Sequence, residues 1–346
     1  MAKTIKNALY ILLWRLGVFA IARRLHKNQA LILTYHGVLS KASDSYVNRN
    51  CVSAAMFDRQ VRWLKKHYTV MPLSELVAAI RGEKPLPPYA AAITFDDGFL
   101  NNYSVALPIL MKHNVPATIF LTTGYIGANG AKLWTERVDS IIYSSTLPRL
   151  KVQMNGQPVE FDVSSQKARE RASDRIRSYL KSQNPEEREK QIIALERQIE
   201  QERNFIDEMD ERYKFMSWED AKVLAESGME LGSHTVSHSI LSTLATDKLR
   251  EELQDSKITI EEKLQRDCPL FSYPNGTERD FSPRDQDMLR KLGYRAAFSQ
   301  VYGFNPAGSN PYALKRINIA RSENFAYFLA KITGVWGLMK NLPGMK

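Results

Sequence analysis

The sequence predicts an α/β fold built around a mainly parallel sheet. Three observations carry that expectation. Short apolar runs of strand length alternate with segments of helical periodicity. The polar, reactive residues sit where the apolar runs end. One charge-rich stretch interrupts the alternation, which then resumes.

The elements follow in order. Residues 30–35 form an apolar run ending at His36 and read as a buried strand. A helical pattern covers 57–67. A second buried strand spans 90–95 and ends in Asp96-Asp97-Gly98. A helix over 103–113 and a strand over 117–122 continue the pattern. Alternation around Asn155-Gly156 then signals a hairpin between about 149 and 161. Residues 166–213 are dense in Arg, Glu and Lys, with sparse apolar positions such as Ile176, Leu180, Ile192, Leu195 and Ile199. They predict two amphipathic helices divided near Asn184-Pro185, their charges forming a solvated face. A helix over 218–227 stops at Gly228. A strand over 229–231 leads into Gly232-Ser233-His234, and a long helix covers 247–264. Strands follow at 270–273, 296–299 and 313–319. The expected organisation is a basic amphipathic segment (1–28), a barrel (29–322) with a mainly helical insertion (132–215), and an apolar, basic C-terminal segment (323–346).

The 346 residues carry 48 Lys and Arg against 38 Asp and Glu, a net charge of +10. Such a balance suits an anionic partner. No nucleic-acid-binding motif accompanies it, and nucleic acid is not an expected partner. Cys51 and Cys268 lack metal-ligand spacing and read as free thiols. Near the N-terminus, apolar runs at 8–14 and 16–22 are split by Arg15 and followed by Arg23, Arg24 and Lys27. Neither run alone reaches the length of a membrane span. The preferred reading is a helix in the membrane interface, anchored by Trp14 and Phe19, over an anionic surface. A signal or anchor and an ordinary surface helix are the other readings. Membrane association is expected, on the cytoplasmic face rather than after export.

The chemistry concentrates at strand ends. His234 and His238 stand four residues apart, so on a helical turn they would share one face and one metal ion. One carboxylate would complete a triad with open positions. Asp96 and Asp97 supply candidates: one to bind a cation, the other to take a proton from water. Each motif alone is ordinary, since Asp-Asp-Gly is also a turn signal. Their convergence on the carboxyl ends of parallel strands is what points to an active site.

At these residues the chain resembles the polysaccharide deacetylase family, the NodB-homology or carbohydrate esterase family 4 group. Thr94-Phe95-Asp96-Asp97-Gly98 is similar to its first motif, and His234-Thr235-Val236-Ser237-His238 to its second. Phe271-Ser272-Tyr273-Pro274-Asn275-Gly276 resembles a variant of its third. The likeness covers roughly 30–321, outside the insertion. It implies a distorted β/α barrel that hydrolyses the acetamido group of an N-acetylated sugar. It implies Asp96 as base, and Asp97, His234 and His238 as ligands of a divalent metal, zinc first among them. The Tyr273 backbone amide would serve an oxyanion, with Pro274 and Asn275 beside it.

Two departures stand out. The arginine that often orients the base is missing from the third motif, and Arg316 is the candidate substitute. The late histidine acid is also missing. His36, in Thr34-Tyr35-His36-Gly37-Val38, resembles an early histidine of exopolysaccharide deacetylases and is the candidate proton donor. Trp134 could stack on a sugar or anchor the root of the insertion. The expected substrate is an N-acetylated surface glycan or its precursor. The alternatives are a deacetylase or deformylase of a lipid-linked sugar, and a catalytically inactive glycan-binding module. Nothing in the sequence fixes the oligomeric state.

Overall fold

The computed structural model describes residues 3–41, 50–128, 131–199, 214–320 and 324–340, with side chains from residue 7 onward. Residues 200–213 of the expected insertion and 341–346 of the expected C-terminal segment lie outside that description.

A nine-stranded sheet forms the body. From one edge it runs Ala296–Phe298, Leu270–Ser272, Glu230–Ser233, Thr118–Leu121, Ala90–Phe95 and Gln29–Tyr35, all parallel. The segment after Asn310 curls the sheet back on itself. Leu314 bridges Phe298 on the first strand of that order, and Ile317–Asn318 pairs in parallel with Leu33 and Thr34 on its last, Gln29–Tyr35. The sequence predicted a strand over 313–319; only these two residues form one. The stretch before them is spent crossing between two strands, so it cannot pair continuously with either. The result is a distorted barrel of alternating strands and helices.

The period-two alternation of the strands sorts their side chains. Leu31, Leu33, Tyr35, Ala91, Ile93 and Phe95 pack outward under the surrounding helices. Ala30, Ile32, Ala90, Ala92, Ala296 and Phe298 face the other way, into a core closed by the helix Leu73–Ile80. Four alanines leave this lumen narrow but not full. Phe120 and Leu314 take part of the room, and the Arg316 guanidinium lies 5.6 Å from the Phe120 ring centroid. Gly232 is needed here: a Cβ would meet Phe120 at 2.6 Å.

The helix expected over 103–113 begins as a wider turn, Asn102–Ala106, before Leu107–His113. Pro108 has no N–H to close a regular first turn. Asn101 and Asn102 at its start are buried and reach back to the first strand. Asn101 accepts from Val38 N at 3.0 Å, and Asn102 donates to His36 O at 2.7 Å.

The insertion has its own core. The hairpin Arg149–Met154 with Gln157–Asp162 and the helices Trp134–Ser144, Gln166–Lys181 and Pro185–Gln198 bury Val138, Ile142, Leu150, Ile176, Leu180, Ile192 and Leu195 together. The barrel contributes Ile240 to that cluster. Asn184 caps the helix Pro185–Gln198 by accepting from Glu187 N, and Pro185 fits its first turn. The break expected near Asn184-Pro185 is therefore present.

At the N-terminus, helices Lys3–Arg15 and Val18–Leu25 pack against Phe325–Ile332. Ile11, Leu12, Trp14, Leu16, Ile21 and Leu25 remain exposed. Phe19 does not: it is buried, so it anchors the helix to the protein rather than to a membrane. No described helix is long and apolar enough to cross a bilayer. Cys51 and Cys268 are both free.

Candidate active site

The carboxyl ends of the strands open into a cavity of about 320 Å³. His36, Asp96, Asp97, His234 and His238 line it, from three different strand ends. Asp97, His234 and His238 are buried and form one cluster, their ligand-capable atoms within 4.8 Å of one another. Nε2 of each histidine lies 3.4 Å from Asp97 Oδ1.

The two histidines do not share a helical turn. Thr235 and His238 adopt left-handed backbone angles, φ 68° and 58°, and the stretch between them is a non-helical loop. Spacing alone suggested a helix face; the neighbouring backbone imposes a loop instead. Thr123 N and Gly124 N donate to the carbonyls of Thr235 and Val236. Glu252, on the helix Thr246–Leu264, accepts from Val236 N at 2.8 Å and Ser237 N at 3.0 Å. A β-branched residue in the left-handed region is strained, costing on the order of 1–3 kcal/mol. Asp97 (φ 78°) and Asn275 (φ 60°) share that conformation beside the same cavity.

This cluster fits a divalent cation. His234 Nδ1 pairs with Ser272 O at 2.7 Å, which assigns the proton to Nδ1 and leaves the Nε2 lone pair facing Asp97. Asp97 Oδ1 is buried with no hydrogen-bond partner among the described residues. Burial opposes the charge on Asp97, but the imidazoles of His234 and His238 beside it hold its carboxyl well below the usual range. Burial pushes His238 down, towards the neutral form that a ligand needs.

Asp96 is clamped rather than shared. It is buried in the lumen, where Arg316 donates to Oδ1 at 2.8 Å and to Oδ2 at 2.7 Å. Arg316 also reaches Ser272 Oγ at 2.7 Å and Ser299 O at 2.9 Å. A paired, hydrogen-bonded buried arginine fixes orientation through its planar fork. Burial would raise the Asp96 pKa, yet the Arg316 charge lowers it overall. Gln300 Nε2 adds a third donor at 2.9 Å.

Some expected residues stand elsewhere. The Tyr273 N–H donates to Phe298 O at 3.0 Å, extending the sheet, so it has no bond left for an oxyanion. Its ring is buried on Phe281, and its hydroxyl donates to Tyr312 O. Pro274 is buried beside it and does not line the cavity. Asn275 does line it, with Nδ2 unpartnered among the described residues. Trp134 is 7% exposed, packed in the insertion core with the Arg188 guanidinium 4.9 Å from its ring. It is the buried anchor, because its helix turns the neighbouring Leu133, Thr135 and Glu136 to the cavity instead.

The sequence reading missed Gln300, Asn318, Glu136, Asp139 and Arg177, all of which line the cavity. Arg177 lies in the charge run taken for a solvated face, yet it pairs with buried Asp139 at 3.0 Å. Burial, then the Asp97 charge, holds Glu136 well above the usual carboxylate range. None of the five sits in a recognisable motif; elements far apart in sequence bring them together.

The sequence profile of the family described as polysaccharide deacetylase matches residues 83–297. The chain belongs to the polysaccharide deacetylase family. A poly-β-1,6-N-acetyl-D-glucosamine N-deacetylase of Staphylococcus aureus (strain MSSA476) is 31% identical over 111 residues, 29% of this chain and 38% of that protein. Its namesake in Staphylococcus epidermidis is 32% identical over 113 residues, 30% of this chain and 39% of that protein. The matched stretch thus spans under two-fifths of the length of these relatives. Among solved structures, a Streptococcus pyogenes deacetylase in complex with acetate aligns with a TM-score of 0.58 at 18% identity, covering 88% of this chain and 99% of that one. IcaB from Ammonifex degensii aligns at 0.57 and 18%, covering 88% and 97%. These two likenesses establish the shared fold.

Proposed function

We propose that this protein is a metal-dependent N-deacetylase of an N-acetylated glycan. The observation that carries the reading is the juxtaposition of two carboxylates in different states. Asp97 faces two imidazoles with an unpartnered oxygen, while Asp96 beside it is held as an anion by Arg316.

Asp97, His234 and His238 would hold the cation, which polarises the acetamide oxygen and makes water a better nucleophile. Zinc suits two nitrogens and one carboxylate. Asp96 takes the proton from the attacking water. Its Oδ1 carries one hydrogen bond and keeps a lone pair free for that task. Arg316 and Gln300 orient it and keep it anionic. As the carbon–nitrogen bond breaks, His36 gives a proton to the leaving amine, and acetate departs. Asn275, Gln300 and Asn318 each carry a polar side-chain atom with no partner among the described residues, suited to sugar hydroxyls. The relatives named for poly-N-acetylglucosamine make that polymer the first substrate to try.

The test is acetate release from N-acetylglucosamine oligomers, with zinc, after chelation, and in Asp97→Ala. Release that needs metal and is abolished by the substitution supports the reading. A protein that neither binds metal nor releases acetate would return it to a glycan-binding module.

A second reading concerns place. The exposed Ile11, Leu12, Trp14, Leu16, Ile21 and Leu25 lie among the exposed Arg15, Arg24 and Lys27. That mixture suits the surface of an anionic bilayer, and a lipid-linked sugar as substrate. Sedimentation with anionic vesicles, lost in Leu16→Asp with Leu25→Asp, is the expected result. Equal sedimentation of the variant would refute it.

A further inference from the structure

A second cavity, of about 420 Å³, adjoins the first, and Thr277, Gln300 and Asn318 line both. Its chemistry is different. Arg279, Lys331 and Lys340 bring cations to it, Tyr302 and Trp336 bring aromatic rings, and among the described residues Glu278 is its one carboxylate. Arg316 touches its wall but is committed to Asp96.

Lys331 is built into this cavity. It is 9% exposed and donates to Asn318 O, with its ammonium 5.5 Å from the Trp336 ring centroid. Lys340 lies 5.2 Å from the same centroid. Among the described residues, none of Arg279, Lys331 and Lys340 forms an ion pair. Burying an ammonium without a counter-charge is costly. Burial pushes Lys331 down to about 8, which still leaves it mostly protonated at neutral pH. Among the described residues, then, no carboxylate pairs with these three cations of the cavity. A neutral polymer of N-acetylglucosamine supplies no anion for it, and the amino groups of a deacetylated product would be repelled.

We propose that this second cavity is an anion subsite, taking a carboxylate or phosphate carried next to the N-acetylated sugar. It rests on the deacetylase reading and narrows it: the substrate is an acidic glycan, or a sugar on a phosphorylated carrier. Tyr302 and Trp336, their ring centroids 4.8 Å apart, give the cavity an aromatic wall beside these cations.

The experiment has two readouts. The first compares kcat/KM for neutral N-acetylglucosamine tetramers, for tetrasaccharides alternating N-acetylglucosamine with glucuronate, and for N-acetylglucosamine on a short polyprenyl diphosphate. At least one acidic substrate should lead the neutral one by tenfold or more, mainly through KM. Lys331→Met should bring that ratio towards one; if it fails to fold, Arg279→Ala with Lys340→Ala replaces it. Which acidic substrate leads identifies the source of the anion. The second readout needs no turnover. Glucuronate and glycerol 1-phosphate are titrated calorimetrically into the full chain carrying Asp97→Asn, so that anions do not report on a metal. Binding that is lost with Lys331 supports the subsite, and persists even if no substrate is turned over, which would sink the deacetylase reading alone. Equal turnover of neutral and acidic substrates without anion binding overturns the subsite and leaves the deacetylase reading standing. No turnover and no binding would overturn both.

Discussion

The barrel and the insertion supply opposite walls of one cavity, but they are held in place by different means. On the barrel side, Asp96, Asp97 and His234 are buried, with Asp96 held by Arg316 and His234 by the Ser272 carbonyl. On the insertion side, Thr135, Glu136, Asp139 and Arg177 project from helices whose apolar faces pack on one another. Among the described residues the ties between the two include Ile240 in the insertion core, the Lys181–Asp280 pair at 2.8 Å, and Lys214 O, which accepts from Leu100 N at 2.8 Å. Asp280 in turn caps the loop after Asn275 by accepting from Thr277 N at 2.7 Å. Groups that must be placed to a fraction of an ångström thus sit on the stiff side. The cavity-lining groups of the insertion sit on a unit with its own core.

The sharpest way to test that division is Asp96→Asn. On the stiff side it should lower the turnover number by about 10²–10⁴, the usual contribution of a general base. It also leaves Arg316 buried without its anion, costing on the order of 3–5 kcal/mol of stability. Acetate release and chemical denaturation measure the two losses, and a stable, active variant would contradict both.

Next in size is a pair of truncations. Leu180→Ala and Leu33→Ala should each cost about 2–5 kcal/mol. If the cores are independent, Leu180→Ala lowers a transition of the insertion alone and Leu33→Ala lowers that of the barrel. Hydrogen exchange resolved by segment separates these, and a single joint transition in both variants would break the comparison.

Glu252→Gln probes the loop between the two histidines. Supports behind metal ligands typically matter by about 10–100-fold in metal affinity. We expect a loss in that range by metal-competition titration, with little change in melting temperature. Unaltered affinity would mean the loop holds its shape without Glu252.

Lys181→Met should have the smallest effect. The pair is only partly shielded, so about 1 kcal/mol or less is expected. KM for an oligomeric substrate should rise while the turnover number stays near native. A fall in turnover instead would show that the insertion helps to place the reacting groups.

The sequence made the alternating core legible because the strands are apolar, short and evenly separated, and the metal cluster because its residues stand in compact motifs at strand ends. Arg316 was within reach only as the cation left over once the third motif lacked one. Gln300 and Arg177 could not be read, since a glutamine after a strand and an arginine in a charged helix look like many others. Trp134 stayed open between two places because a tryptophan beside a cavity and one beneath it have the same sequence surroundings. The helical turn inferred for His234 and His238 failed for a related reason. A spacing of four is compatible with a helix, but Glu252, Thr123 and Gly124 are distant in sequence, and they decide the loop.

The left-handed backbone at Thr235 has a consequence for how this protein could be made hardier. Glycine would sit at that φ without the steric conflict a β-branched side chain brings. Thr235→Gly would relieve that conflict beside the candidate metal cluster, at the risk of letting His234 and His238 drift apart. Durability and ligand geometry draw here on the same few dihedral angles, so improving one is a trade against the other.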